Sequence, residues 1–498
     1  MTDVLLAHSF FIRNDPKQAA KMRPYPPLGT LYAAAGLRRQ GCSVALFDAM
    51  LAEGVEEFRA LDEQLNAPVV VLYEDQFNFL NKMCLLHSRN AACEMARIVR
   101  RRGGTVAVAG ADATDHPEIY LSNGAQYALL GEADHTVCEL VSALASGTAT
   151  TVESVRGLAF SSGNAAEGIR RTAPREPERH LDRFPFPAWD LLNAESYRSA
   201  WMKAHGHFSL NMVTTRGCPF HCNWCAKPIW GQRYAIRSPA EVAREMTLLK
   251  QTLRPDHIWF ADDIFGLQPN WVVEFSREVE ARGASIPFMI QSRVDLMTEK
   301  AVEALARAGC REVWLGAESG SQKVLDAMEK GTKAEQIPVV RRRLRNAGIR
   351  ACYFIQFGYP GETFADIMAT IELIRETLPD DIGISVSNPL PGTNFYAMVK
   401  QQVVGKDHWE DSNDLSMMFH GAYQTPFYRK LHQFVHRDLR LRHQLSKSEP
   451  VEPSELDAMA REWDELSRME GECRSTLPTV ISGQRVPLAA PDLSKRWN

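Results

Sequence analysis

The sequence predicts an α/β protein in three parts: a doubly wound parallel sheet over residues 1–142, a partial (βα)6 barrel over 206–395 and a mostly helical C-terminal region over 396–498, with 143–205 as a linker. Two observations carry this prediction. Short continuous runs of apolar and β-branched residues alternate with helical patterns in both large parts, as the strands of a parallel sheet covered on both faces do. Between them the alternation breaks at Gly163, Gly168, the charged stretch Pro174–Arg179 and Phe184-Pro185-Phe186-Pro187, a set of chain breakers that marks a connection.

In the first part, strands are expected at Val4–Ala7, Ser43–Phe47, Val69–Tyr73, Thr105–Ala109 and Tyr127–Leu130, and helices at 28–40, 53–65, 77–102 and 134–145. A ligand of such a sheet sits at the carboxyl ends of its strands. The linker carries a hairpin candidate around Gly157–Ile169. In the second part, strands are expected at 208–214, 257–261, 287–292, 311–316, 351–357 and 382–388. Ser238-Pro239-Ala240-Glu241 opens a helix, with Ser238 as cap, Pro239 at the first helical position and Glu241 closing a capping box. Six such units fall short of a closed eight-fold barrel, so the barrel is open. The C-terminal region is irregular and helical, and its aromatics, among them Trp409, Phe419, Tyr423 and Tyr428, are packing residues first and cavity-lining candidates second.

A formal net charge of −4 leaves no basic footprint for nucleic acid or an anionic membrane. The basic runs Arg97–Arg102 and Arg341–Arg345 each precede a glycine, where cations complement the end of a helix. No apolar run approaches the ~20 residues of a membrane span. The N-terminus lacks the basic region of a signal peptide, and a cytoplasmic location is expected. Of ten cysteines, Cys42, Cys84, Cys93, Cys138, Cys310, Cys352 and Cys473 are scattered; in a reducing compartment they read as small apolar residues.

The other three stand in Thr215-Arg216-Gly217-Cys218-Pro219-Phe220-His221-Cys222-Asn223-Trp224-Cys225, directly after the first barrel strand. Three thiolates so spaced are able to wrap one iron–sulfur cubane. One iron is then left for the amine and carboxylate groups of a small molecule. Zinc is a second reading. It prefers four protein ligands in two separated pairs, and no second pair follows, although His221 within the cluster is a candidate fourth ligand. Three buried structural thiols are the third.

CxxxCxxC with an aromatic residue before the last Cys, on the loop after the first strand of a partial barrel, resembles the radical S-adenosylmethionine (SAM) superfamily. The resemblance implies a [4Fe-4S] cluster on Cys218, Cys222 and Cys225, SAM at the open iron and Trp224 near its adenine. It implies further SAM contacts at strand ends: Asp262 in Phe260-Ala261-Asp262-Asp263, where the family's Gly-Gly-Glu-like motif is absent and Asp263 is the alternative; Ser292 and Arg293 in Gln291-Ser292-Arg293-Val294-Asp295; and Glu318 in Leu315-Gly316-Ala317-Glu318. Asp295 is equally a structural partner for Arg293. Gln356–Thr363 and Asn388–Thr393 resemble the family's fifth- and sixth-strand endings, with Gly361 and Gly392 as turn formers. The implied chemistry is a 5′-deoxyadenosyl radical that takes hydrogen from an unactivated carbon of a small molecule. The electron comes from a low-potential donor such as flavodoxin or ferredoxin.

Pro26–Leu31 opening a helix, Ala109–Thr114 after the fourth strand, Leu130–Ala133 after the fifth and the linker ending in Phe184–Asp190 extend the resemblance to the cobalamin-dependent radical enzymes. It implies a Rossmann-like cobalamin-binding domain lined by Gly110, Ala111, Thr114, Gly131 and Glu132, and methyl transfer as the reaction. There is no Asp-x-His-x-x-Gly to place a lower axial His on cobalt, and His116 and His135 do not match it. Cobalamin without a protein nitrogen on cobalt and a relic domain used for docking both remain open. A radical oxidative cyclase is the alternative activity, and a corrinoid or redox sensor with a structural cluster is the non-enzymatic alternative. A methylthiotransferase is disfavoured, because Cys42, Cys84, Cys93 and Cys138 do not form a second three-cysteine motif.

Overall fold

The computed structural model describes residues 2–78, 85–146, 149–161, 168–227, 229–390, 392–403, 409–410 and 415–475. Cys84, Pro391, the turn of the expected hairpin and the tail beyond 475 lie outside the described residues.

The first sheet holds β1 (Val4–Ala7), β2 (Val44–Phe47), β3 (Val69–Tyr73), β4 (Thr105–Ala109) and β5 (Tyr127–Leu129), parallel and in the order β2-β1-β3-β4-β5. All of β1 and β3 is buried, because the helices Leu28–Arg39, Val55–Leu65, Leu86–Arg101 and Asp134–Ser146 cover both faces. The strand order reverses between β1 and β3, which places the ligand crevice of this topology there. Of the expected helix 77–102, Leu86–Arg101 lies among the described residues.

The sheet does not stop at 142. β6 (Leu158–Ser161) adds antiparallel to β5, and β7 (Ile169–Arg171) antiparallel to β6. The hairpin candidate thus belongs to the first domain rather than to a free linker. It covers the backbone edge that β5 would otherwise present to solvent.

The second sheet runs β8 (Ser209–Met212), β11 (His257–Phe260), β12 (Phe288–Ser292), β13 (Cys310–Glu318), β14 (Arg350–Phe357) and β15 (Asp381–Val386), all parallel and in sequence order. Between β8 and β11 a short antiparallel pair, β9 (Thr215–Arg216) and β10 (Ala235–Ile236), brackets the cysteines. Phe260, Phe265 and Phe288 pack edge-on or tilted against Phe275 of the helix Pro269–Ala281. That contact seats the outer helical layer on the strands. The helix at Pro239–Thr252 begins as expected, with Ser238 Oγ accepting from Glu241 N. The capping box does not form: Ser238 N donates to Asp182 of the linker at 2.9 Å, and the Glu241 carboxylate pairs with Arg244.

A true capping box sits at the helix Phe364–Thr377, where Thr363 and Asp366 satisfy each other's backbone N–H. Burial works against the Asp366 carboxylate, but hydrogen bonds from Lys323, Ser321 and Thr363 hold it well below the usual range. A carboxyl with a lowered folded pKa stabilises above its unfolded value and loses that contribution as pH falls through the folded one. Asp366→Asn is therefore expected to cost about 1 kcal/mol at pH 7. The difference from wild type should shrink below about pH 4, as paired urea unfolding curves across pH would read.

The C-terminal helices Thr425–Ser446 and Pro453–Glu472 pack on each other, and Arg375 holds the first of them through a bidentate pair with Asp438 at 2.9 and 3.2 Å. Trp409, Phe419, Tyr423 and Tyr428 are all buried. Among the described residues no helix is long and apolar enough to cross a membrane.

Candidate functional site

The three cysteines lie on the loop between β9 and β10, at the carboxyl end of β8. The loop is pinned chiefly through Asn223. Its N–H donates to Met328 O at 3.1 Å and its side-chain amide to Ala327 O at 2.8 Å; its Oδ1 accepts from the Tyr359 hydroxyl at 2.9 Å, and its carbonyl from Phe395 N at 3.0 Å. Lys227 donates to the carbonyl of Phe220. Burial pushes the Cys225 thiol up to about 12, with Asp263 adding to the effect, and it raises Cys218 as well. Thiols so desolvated gain most from a cation that takes up their charge. Among the described residues no three His, Cys, Asp or Glu side chains close on a single metal ion. A cubane is wider than one ion and spreads its ligands further apart.

Two buried cations stand beside Cys222. Arg293, directly after β12, lies over the Phe220 ring at 3.7 Å, pairs with Asp295 at 2.9 and 3.1 Å, and directs Nη1 at the Cys222 sulfur at 3.9 Å. Asp295 thus does hold Arg293, and one nitrogen of the fork remains for the cysteine loop. Lys330 donates to Glu318 Oε1 at 2.6 Å, and the field of Cys222 reaches it. Burial lowers the Lys330 pKa, but Glu318 and Cys222 outweigh it and the net direction is up. Glu318 ends β13 with φ 60°, a left-handed conformation that costs a non-glycine residue about 1–3 kcal/mol and gathers at functional sites.

The remaining predicted SAM residues are placed as follows. Trp224 abuts the apolar group of Met328, Tyr359, Phe395 and Phe419, and its buried Nε1 has no hydrogen-bond partner. Ser292 Oγ donates to Phe265 O at 2.9 Å. Asp262 is fully engaged by the turn that enters the cysteine loop: it accepts from Thr214 N and Thr215 N at 2.7 Å and from Thr214 Oγ1 at 2.8 Å. Burial raises its pKa to about 6 while those donors oppose the rise. Its neighbour Asp263 is the exposed acid whose charge Cys218 and Cys225 feel.

In the first domain Gly110, Ala111, Thr114 and Gly131 come together at the ends of β4 and β5. Thr114 Oγ1 donates to Gly110 O at 2.7 Å and accepts from Gly131 N at 3.0 Å. Gly110 has φ 145°, and a Cβ there would lie 2.8 Å from Glu74 Cβ. Glu74 follows β3 and accepts from Ser9 N, after β1, at 2.9 Å, which puts it at the reversal of strand order. Its other oxygen is buried without a partner, and burial raises its pKa. His8 is buried in the same crevice, with Nε2 near Asp48 at 2.8 Å and accepting from Ala49 N.

Glu132 is different: both its oxygens are taken by protein. Oε1 accepts from Arg216 Nη1 at 2.6 Å and Trp230 Nε1 at 3.0 Å, and Oε2 accepts from Glu178 N at 2.6 Å. Asp134 completes the hold on Arg216 at 2.9 and 3.1 Å. Glu132 therefore joins the domain to the linker and the cysteine loop instead of facing a ligand. The linker aromatics serve the same junction: Phe184 lies over Arg216 at 4.2 Å, and Phe186 lies beside Arg237 and Arg244. Arg216 and Lys330 were missed at the level of sequence. An Arg directly before Gly-Cys, with two acids in Gly131–Asp134, is the one signal that pointed to the first; nothing in the sequence pointed to the second.

A profile of the radical SAM superfamily matches residues 212–374. An uncharacterized methyltransferase of Pyrococcus horikoshii is 29% identical over 267 residues, 53% of this chain and 56% of that protein. The anaerobic magnesium-protoporphyrin IX monomethyl ester cyclase of Rubrivivax gelatinosus is 27% identical over 277 residues, 55% of this chain and 49% of that protein. The chain thus spans about half the length of these curated relatives. Among solved structures, the cobalamin-dependent SAM radical enzyme OxsB, with aqua-cobalamin and SAM bound, superposes with a TM-score of 0.69 at 15% identity. The superposition covers 94% of this chain and 71% of OxsB, a likeness of fold. The segment that carries Cys218, Cys222 and Cys225 is thus the part of the chain that matches the radical SAM superfamily.

Proposed function

We propose that the chain is a cobalamin-dependent radical SAM methyltransferase acting on an unactivated carbon of a small molecule, in a reducing cytoplasm and with a flavodoxin- or ferredoxin-like electron donor. One observation carries the reading: a three-thiol loop, flanked by Arg293 and Lys330, is tied through Arg216 to Glu132 and Asp134, which follow β5 of the β2-β1-β3-β4-β5 sheet. The donor set fits a [4Fe-4S] cluster, since thiolates are its usual ligands and three of them leave one iron for SAM. Two cations beside Cys222, Arg293 and Lys330, support a carboxylate site there, and the partnerless Trp224 Nε1 supports a hydrogen bond to an incoming acceptor. The crevice fits cobalamin, whose amide-rimmed ring supplies N–H donors for the partnerless Glu74 oxygen beside Gly110. When bound, cluster and SAM supply a hydrogen-abstracting radical, and cobalamin supplies a methyl carrier. The chain's part is to orient substrate against them and to exclude water and oxygen. The C-terminal region meets the cysteine loop where Phe419 joins the apolar group against Trp224.

The cyclase among the relatives favours a second reading, the same radical chemistry without methyl transfer. Loading with hydroxocobalamin, followed by SAM carrying a deuterated methyl group, separates the two. A retained corrinoid absorbance and a labelled methyl in product support methyl transfer. A protein that retains no corrinoid overturns it and leaves the radical chemistry standing.

A further inference from the structure

Arg216 is the last residue of β9 and stands two positions before Cys218. Between them Gly217 has φ 79°, and its Cα packs against the Arg233 carbonyl so closely that no Cβ fits. A shift of Arg216 therefore has little slack before it reaches Cys218. Arg216 itself is 4% exposed, and it is held from the other domain, by Glu132 and Asp134. Those acids follow Gly131, whose N–H is tied to Thr114 and through it to Gly110. The loop that grips Arg216 is thus continuous with the loops that converge at the ligand edge of the first sheet.

Arg216 also borders a cavity of about 440 Å³, bounded with it by Trp230, Arg233 and Tyr234 on the cysteine hairpin and by Pro177–Arg179 on the linker. The ion pairs hold the guanidinium together with Phe184, which lies over it at 4.2 Å, and Trp230, which stacks on Phe77 at 5.3 Å and donates to Glu132.

We propose that Arg216 is a positioning residue through which Glu132 and Asp134 set the placement of Cys218, so that ligand occupancy of the first domain's edge and the state of the cysteine loop are linked. Linkage of this kind is reciprocal. The inference rests on the reading of the loop as a cluster site.

The test uses the full chain, reconstituted anaerobically with iron and sulfide. Wild type, Glu132→Gln, Asp134→Asn and Arg38→Ala are compared by the rate at which a chelator strips the cluster and by the EPR spectrum of the reduced cluster with and without SAM. Arg38–Asp190 joins the first domain to the linker at the surface. Both acid variants are expected to lose iron about 10-fold faster, the lower end of the effect of an outer-shell partner, and to show an altered EPR response to SAM; Arg38→Ala behaves as wild type. Acid variants that unfold at the wild-type temperature, strip at the wild-type rate and give the wild-type spectrum overturn the proposal. Should Glu132→Gln fail to fold, Asp134→Asn, which leaves one acid on Arg216, decides alone. A wild-type chain that assembles no cluster removes the underlying reading, an outcome visible before any variant is compared.

Discussion

Cys222→Ala is expected to abolish SAM cleavage while leaving the chain folded. Cys222 is partly exposed, and Arg293 approaches its sulfur no closer than 3.9 Å. A substitution at such a place shifts stability by about 0.5 kcal/mol or less. The functional effect is set by ligand number instead. Two thiolates cannot hold a cubane that needs three, so the loss exceeds the about 10–100-fold typical of an outer-shell partner. Iron content after reconstitution and 5′-deoxyadenosine formation check this together. A Cys222→Ala chain with wild-type iron and wild-type cleavage would mean that the thiols serve packing alone.

The second large effect falls on a residue with no chemistry of its own. Gly217→Ala places a Cβ inside contact distance of the Arg233 carbonyl, at a φ of 79°. The left-handed conformation costs a non-glycine residue about 1–2 kcal/mol and forced overpacking about 1–3 more. The obstacle is backbone, so no side chain swings away to relieve it. The loop entry has to move, and it carries Cys218 with it. Reduced iron incorporation is expected with a lowered unfolding temperature, read by iron analysis and calorimetry on the same sample. Retention of both would show that β9 and β10 tolerate a shift that the packing here forbids.

The strands were legible because each is a short β-branched run between turn formers, as in Val69–Tyr73 and Thr105–Ala109, and both observed strands match the expected bounds. The hairpin at Leu158–Arg171 was visible as a hairpin but not as part of the first sheet, since pairing with β5 is a matter of which edge lies near. Among the site residues, local motifs placed the right loops and left the side chains ambiguous. In Asp262-Asp263 the first acid is consumed by Thr214 and Thr215, a partnership across 48 positions that spacing does not reveal. Glu132 has its partner 84 positions away in Arg216, so a loop that resembles a ligand contact turns out to hold two domains together. Lys330 lies after a short helix with no motif around it, and only folding brings it to Glu318. Long-range pairing of buried charges is where the sequence stays silent, because burial makes such pairs costly to break without marking them locally.

Whether the three thiols carry a SAM-cleaving cluster is decided by anaerobic reconstitution with iron and sulfide, followed by reduction in the presence of SAM. Expected are about four irons per chain, the content of one cubane, an EPR signal of the reduced cluster that changes when SAM is added, and formation of methionine and 5′-deoxyadenosine. A folded chain that takes up a single zinc ion in place of the cluster, or a cluster that leaves SAM intact under strong reduction, would contradict this assignment of the thiols.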